Sequence, residues 1–228
     1  MKLRYIGVFL VLGGFIAAMV LFVFPRLEGE APSLTLSPKP EFIGKSTSLT
    51  LLLEDKGSGL KGIRMELLQG EKIFPILSET FPRGISRVEK AIEINPSALG
   101  LRDGEALMRV VARDYSWRRS GNLNMIEVRL IIDTRPPSAQ VLSRFHYVKQ
   151  GGAGLVVYRA AEKLASSWVE VGELRFQGFP LDDRGYLAFF AVPHDAQPQT
   201  PIALVVEDRA GNRSRASFHY RIKPVAYR

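Results

Sequence analysis

The sequence predicts an all-β chain of two tandem β-sandwich domains that follow one N-terminal transmembrane helix. Three observations predict this organisation. Close to its N-terminus the chain has nineteen uncharged residues in a row, Ile6–Phe24. Alternation of apolar and polar residues with a period of two dominates from Pro32 onward, and one hairpin pattern occurs twice. About 200 residues remain after the helix, which is enough for two domains of ordinary size.

The uncharged segment 6–24 has the length of a membrane-spanning helix. At about 1.5 Å per residue it reaches roughly 28 Å, close to the ~30 Å hydrocarbon layer. Lys2 and Arg4 precede it, which predicts a cytoplasmic tip at residues 1–5 and export of the rest. A cleaved signal peptide is the alternative, but its apolar core is usually about 7–15 residues long and ends at a small-x-small site. The segment ends at Val20–Pro25 without such a site, so we predict a retained signal anchor.

Composition excludes several kinds of chemistry. The chain has no cysteine, which excludes disulfides, thiol catalysis and cysteine-ligated metals. Its net charge is +8, from 31 Lys and Arg against 23 Asp and Glu, and no polybasic run is present. Charge this diffuse is typical of a soluble, mildly basic surface, and we favour that interpretation over affinity for an anionic polymer such as cell wall or lipid phosphate.

Four segments alternate apolar and polar residues in the manner of half-buried strands. A register slip of one residue would expose the apolar set of each, so we predict strands of definite register. The segments are Ser48–Glu54, Ile63–Leu67, Ile126–Ile132 and Ala216–Ile222.

One hairpin pattern occurs twice. Arg109–Asp114 and Ala203–Asp208 each run into a polar turn and then into another apolar strand, and the two aspartates are 94 residues apart. That spacing is about the length of one β-sandwich domain. An aspartate at a strand end accepts hydrogen bonds from backbone N–H groups two residues on, and Gly or Asn tolerates the φ values that reverse the chain. Each copy is predicted to be the last hairpin of its domain.

The two copies are separated by Asp133–Pro137, whose two prolines form a stiff, extended segment that cannot continue a sheet. The predicted domains are therefore module 1 at residues 32–134 and module 2 at residues 138–223. Within module 1, Asn95–Gly100 has a cap residue, a proline at the first helical position and a glycine after the end, which predicts one helical turn. Such crossing turns are common in immunoglobulin-like sandwiches, and we predict that architecture for both modules.

Module 2 contains two strands that are apolar on both faces, Gly154–Tyr158 and Tyr186–Val192. Strands of this kind are covered on both sides, or one of their faces meets another domain. This predicts an interface, with Tyr158, Phe189 and Phe190 as candidate interaction residues.

A basic stripe occurs near the C-terminus, where alternation places five basic residues on one strand face. One interpretation is that the charges protect an edge strand from aggregation, and the other is a docking strip for an acidic partner. We favour the first and keep the five as candidate interaction residues. Nucleic acid is not an expected partner, because the aromatic residues follow the apolar pattern and are not interleaved with the basic ones. The stripe consists of Arg213, Arg215, His219, Arg221 and Lys223.

No motif indicates catalysis. The histidines, His146, His194 and His219, lack the spacing of zinc ligands and are predicted to be ordinary surface and loop residues. Asp182–Asp183 offers too few oxygen ligands for calcium and indicates a turn. Gly151–Gly154 leads into a strand and lacks a following Lys-Ser/Thr, so it predicts a hinge and not a phosphate loop. The sequence therefore predicts no catalytic residue, no metal site and no cofactor.

Stretches in both modules resemble a known family. The chain is similar to the N-terminal region of membrane-anchored, lysostaphin-type zinc metallopeptidases of Gram-negative bacteria, in which a signal anchor and two sandwich modules precede a cell-wall endopeptidase domain. The resemblance covers nearly the whole chain. It is carried by Gly57–Leu60 after Asp55, Leu99–Gly104, Ala112–Trp117, His146–Tyr147, Gly151–Arg159, Gly178–Pro180, Ala188–Pro193 and Asp208–Asn212.

The family's zinc ligands, a His-x-x-x-Asp and a later His-x-His, do not occur here. The chain is thus expected to be a fragment of a longer zinc metalloendopeptidase or a stand-alone relative without the peptidase. The resemblance implies a non-catalytic, single-pass protein of the bacterial inner membrane, anchored by residues 6–24, with a cytoplasmic N-terminus and a periplasmic bulk. It would tether, orient or regulate a peptidoglycan endopeptidase in cis or in trans, with peptidoglycan as a further candidate partner. The alternative is a stand-alone periplasmic scaffold or adhesion protein that binds a protein or a wall polymer.

Overall fold

The computed structural model describes residues 2–22 and 27–225, without the side chains of residues 2–10, 22 and 119. The described residues include two helices, α1 (Lys2–Phe22) and α2 (Pro96–Leu99), and a 3-10 turn at Arg118–Ser120, and most of the other regular structure there is β-strand. The all-β prediction is confirmed.

The predicted membrane anchor requires a correction. Helix α1 spans Lys2–Phe22, and its described side chains, residues 11–21, are all exposed. Within the described part of the chain, no helix is long and apolar enough to span a membrane. This finding contradicts the predicted single-pass location in the inner membrane. Val23 and Phe24, at the end of the predicted anchor, lie outside the described residues.

The chain divides into two compact units, Met1–Ile132 (unit 1) and Asp133–Arg228 (unit 2). In unit 1 a three-stranded sheet has the order β1-β3-β6, and a five-stranded sheet has the order β2-β8-β7-β4-β5, in which β2 runs parallel to β8. This strand order is that of an immunoglobulin-like sandwich. The strands of unit 1 are β1 (Ser33–Ser37), β2 (Phe42–Ile43), β3 (Thr47–Glu54), β4 (Leu60–Gln69), β5 (Lys72–Thr80), β6 (Arg87–Ile94), β7 (Gly104–Asp114) and β8 (Leu123–Ile132).

The core of unit 1 is formed by the apolar sets that the alternation predicts. The predicted helical turn is α2, which Asn95 caps by accepting a hydrogen bond from the Ala98 N–H, and Gly100 ends it with φ +77°. This turn carries the chain from β6 in one sheet to β7 in the other. The buried sets are Leu49, Leu51 and Leu53 on β3, Ile63, Met65 and Leu67 on β4, and Val128, Leu130 and Ile132 on β8.

Unit 2 forms a seven-stranded arrangement with the order β16-β15-β12-β13-β14-β11-β9, together with a parallel pair of β10 and β17. Strand β13 pairs with β12 through residues 174–177 and with β14 through residues 178–180, so it links the two halves of the sandwich. The strands of unit 2 are β9 (Ala139–Val141), β10 (His146–Lys149), β11 (Ala153–Ala160), β12 (Ser166–Val171), β13 (Leu174–Pro180), β14 (Gly185–Ala191), β15 (Ile202–Glu207), β16 (Arg213–Ala216) and β17 (Tyr220–Lys223).

The predicted continuous strand at the C-terminal end of unit 2 is interrupted. Strand β16 pairs with β15, whereas β17 begins at Tyr220 and pairs with β10. Between them the Phe218 ring packs against His146 and Phe190. Alternating burial continues through this stretch, so the sequence period is retained while the pairing partner changes.

Candidate functional site

Unit 2 has an exposed apolar surface on β11, β14 and β13. Leu155 lies directly opposite Phe189, and Val157 lies opposite Leu187, which is in turn opposite Phe179. Phe189 is 60% exposed, Phe179 51% and Leu155 40%. Apolar side chains on neighbouring strands therefore form one continuous surface. We call these five residues the outer face.

The opposite side of the same strands is core, which corrects two candidate interaction residues. Tyr158 and Phe190 are 0% and 1% exposed. The Tyr158 hydroxyl donates to Ser167 Oγ at 2.7 Å, and its ring stacks on Tyr186. Burial raises the pKa of Tyr158, although the hydrogen bond with Ser167 acts in the opposite direction. Because successive residues of a strand point to opposite faces, only Phe189 of the three candidates can reach a partner.

The predicted basic stripe is divided between two strands. On β16, Arg213 pairs with Glu207 and Arg215 with Glu170. The Arg213 guanidinium lies 5.4 Å from the centre of the Trp168 ring. Strand β16 is at an edge of the sheet order. Charge pairing at an edge supports the interpretation that these residues protect the strand.

The second half of the stripe lies beside exposed aromatic rings. Arg221 is opposite Tyr147 on β10, and Lys223 Nζ is 5.7 Å from the centre of that ring. The ring of Phe145 is parallel to that of Tyr147 at 6.1 Å, and His219 contacts both rings edge-on. We call these five residues the aromatic patch. The sequence analysis did not identify Phe145 and Tyr147 as part of this patch. They meet the basic residues because β10 pairs in parallel with β17, and no local sequence pattern indicates a pairing between segments so far apart.

The histidines do not form a metal site among the described residues. His146 is buried, which corrects its prediction as an ordinary surface or loop residue. Its Nδ1 lies 3.0 Å from the backbone oxygen of His219, which can only accept. In the neutral ring Nδ1 therefore carries the proton, and Nε2 accepts from the Ser143 hydroxyl at 2.8 Å. His146 thus connects β10 to the segment before β17.

Three carboxylates converge at one end of unit 1, where sequence reasoning predicted no metal site. Oxygens of Glu28, Asp55 and Asp114 all lie within 4.8 Å of one another, and Asp55 and Asp114 are buried. Burial raises the pKa of Asp55, the N–H of Gly59 opposes this, and the charges of Glu28 and Asp114 raise it further. Asp55 directly follows β3 and Asp114 is the last residue of β7, so the sequence signal available was an aspartate at the end of each apolar strand.

Unit 2 has three carboxylates at positions that correspond to those of the unit 1 cluster. Asp133 is on the entering chain, Glu162 follows β11, and Asp208 follows β15. Partial burial raises the pKa of Glu162, and the charges of Asp208 and Asp133 raise it further. Among the described residues, the carboxylates of unit 1 are the one group of three whose oxygens all lie within 4.8 Å of one another.

No protein-family profile and no curated protein matches the chain. Solved structures similar to it include fibronectin(III)-like modules of Clostridium thermocellum CbhA, with 13% identity, 85% of this chain and 93% of that chain covered, and a TM-score of 0.49. Murine CEACAM1b has 11% identity, 84% and 100% coverage, and a TM-score of 0.33. The titin domains z1z2 in complex with telethonin have 13% identity, 87% and 100% coverage, and a TM-score of 0.29. All three scores lie below 0.5, so the fold assignment rests on the strand pairing within this chain.

Proposed function

We propose that this chain is a non-catalytic binding and spacing region, and that unit 2 docks a partner protein domain through the outer face. The observation that carries the proposal is the exposed apolar pairing of Leu155 with Phe189, continued across β14 by Leu187 and Phe179. A sheet face that meets water normally presents polar side chains. A contiguous apolar surface rimmed by polar residues is typical of a protein interaction site.

The partner that we propose is a lysostaphin-type peptidase domain, supplied in cis or in trans. Its identity rests on the resemblance stated above. Docking would raise the local concentration of the peptidase near its substrate without any catalysis by this chain. Arg159 is opposite Gly185 at one end of the β11–β14 pairing. We therefore expect the complementary surface to be apolar with an acidic residue at its rim.

The test is the affinity of the full chain for a purified lysostaphin-type domain, measured by titration calorimetry. Phe189→Glu should weaken binding at least about tenfold, because it places a charge in a desolvated contact. Phe145→Glu is the matched control, since Phe145 is also an exposed phenylalanine of unit 2 but belongs to the aromatic patch. Equal affinity of wild type and Phe189→Glu would overturn the docking proposal.

The aromatic patch favours a second candidate function, a scaffold that binds an anionic wall polymer. Tyr147 is 55% exposed and Lys223 lies over its ring, so ring surface and positive charge face solvent together. Co-sedimentation of the full chain with insoluble peptidoglycan tests this function. Binding that is lost in Tyr147→Ala and retained in Phe189→Glu would favour it, and absence of co-sedimentation would exclude it.

A further inference from the structure

We propose that unit 1 holds a calcium ion between the carboxylates of Glu28, Asp55 and Asp114. Calcium takes oxygen ligands at about 2.3–2.6 Å, so two ligands of one ion are at most roughly 4.6–5.2 Å apart. The three carboxylates offer oxygens within 4.8 Å of one another, a spacing compatible with one calcium ion between them. Magnesium fits less well, because it requires metal–oxygen distances of about 2.0–2.1 Å and near-ideal octahedral geometry.

The backbone around the cluster holds these oxygens in position. Gly59 N–H donates to Asp55 Oδ2 at 2.5 Å, Asn122 N–H donates to Asp114 Oδ1 at 2.6 Å, and Ser58 N–H donates to Glu28 Oε1. Such donors carry only partial charge, whereas buried carboxylates this close repel one another. A divalent cation would remove that repulsion.

A second observation, independent of the acidic residues, is the hydroxyl of Ser58. Its oxygen is buried and has no hydrogen-bond partner among the described residues, and a buried polar atom normally has one. Ser58 lies between Gly57, whose Cα abuts the Glu28 carboxylate so closely that a Cβ would collide with it, and Gly59, which binds Asp55. The loop whose backbone contacts two of the three carboxylates therefore also carries a buried hydroxyl oxygen without a partner among the described residues, and calcium accepts sets that mix charged and neutral oxygens.

The ion would fix the point at which the chain enters unit 1. The backbone oxygen of Glu28 already accepts hydrogen bonds from Ser116 Oγ at 2.9 Å and Asn122 Nδ2 at 3.2 Å. A calcium ion bound to all three carboxylates would connect the Glu28 side chain to Asp55 in the loop after β3 and to Asp114 at the end of β7. This role is independent of the outer face, which belongs to unit 2.

A nearby basic residue offers a competing way to balance the cluster. The guanidinium of Arg118 approaches Gly29, the neighbour of Glu28. If Arg118 supplies the compensating charge, calcium has no effect on the protein and Arg118→Ala destabilises it. If calcium supplies that charge, Arg118→Ala retains the calcium response.

The test is calcium titration of the full chain after treatment with a chelator, followed by calorimetry and by thermal unfolding. We expect about one equivalent of calcium to bind and to raise the Tm, and equimolar magnesium to raise it less. Asp55→Asn should abolish the calcium-dependent rise while unfolding in chelator no earlier than wild type, because the substitution removes repulsion. Glu162→Gln is the matched control in unit 2 and should leave the response intact.

Two outcomes would overturn the proposal. One is a wild-type chain that shows neither heat of calcium binding nor a change in Tm. The other is an Asp55→Asn variant whose Tm still rises with calcium to the same extent as that of wild type.

Discussion

Leu155 on β11 is directly opposite Phe189 on β14, and both apolar side chains face solvent. The next residue, Phe190, points the other way and is almost completely buried in the core of unit 2. Two adjacent phenylalanines thus have opposite roles, because side chains alternate along a strand. The proposed docking function depends on this distinction, and the first prediction tests it.

Phe189→Ala should change the free energy of unfolding by less than about 0.5 kcal/mol, as is usual for an exposed position. Phe190→Ala should lower it by about 3–5 kcal/mol, because it leaves a cavity in the core. Urea unfolding of the full chain, followed by circular dichroism, measures both. Similar losses in the two variants would show that the faces of β14 are assigned wrongly.

The hydroxyl of Tyr158 occupies the space beside Gly178, where β13 changes its pairing partner. A Cβ at Gly178 would collide with Tyr158 Oη and Ser167 Oγ. Gly178→Ala should therefore cost about 1–3 kcal/mol of stability, as overpacking does. Adding Tyr158→Phe should recover part of the loss, since it removes one of the two colliding atoms. A double variant no more stable than Gly178→Ala would contradict this explanation.

The Asp182 carboxylate closes the turn between β13 and β14 by accepting hydrogen bonds from the N–H groups of Arg184 and Gly185. These bonds hold the pKa of Asp182 below its usual value of 3.8. Because the folded state lowers this pKa, the stabilisation is fully present above the unfolded value and is lost as the pH falls through the folded value. The Tm difference between wild type and Asp182→Ala should therefore be larger at pH 7 than at about pH 2. A difference that does not change with pH would exclude this charge effect.

The repeated hairpin of each unit fixes the chain that enters that unit. Asn212 Nδ2 donates to Asp208 Oδ2 at 2.9 Å and to the backbone oxygen of Asp133 at 2.7 Å. Asn212→Ala leaves these acceptors unsatisfied and should cost about 1–3 kcal/mol. It should also speed proteolysis in the segment that follows Asp133, which limited digestion and mass spectrometry would detect. Unchanged stability and cleavage would contradict this role.

Asn122 makes the equivalent contacts in unit 1, with Asp114 Oδ2 at 2.8 Å and the backbone oxygen of Glu28. The sequence predicted the pairing of an aspartate with a turn in both copies, because the turn is local. It did not predict that the asparagine side chain also binds the entering chain. That contact joins residues far apart in sequence and depends on how the domain folds.

The difference between local patterns and contacts between distant residues also explains which parts of the sites the sequence predicts. Strands with one apolar face, such as Ile63–Leu67, were predicted with the correct inward residues, since only one register buries them. Tyr186–Val192 is apolar on both faces, so its pattern could not determine which ring is exposed. The carboxylate cluster joins Glu28, Asp55 and Asp114 from three separate segments. No spacing rule along the chain links such distant residues.

Hydrogen exchange of the wild-type full chain, with and without a lysostaphin-type domain, tests the docking proposal most directly. Amides that an interface covers exchange more slowly in the complex. We predict that added protection is confined to unit 2 and centred on β13 and β14, residues 174–191, with smaller effects on β11. Protection centred on unit 1 or on the β10–β17 pair, or no added protection at saturating concentrations of the domain, would contradict docking through the outer face.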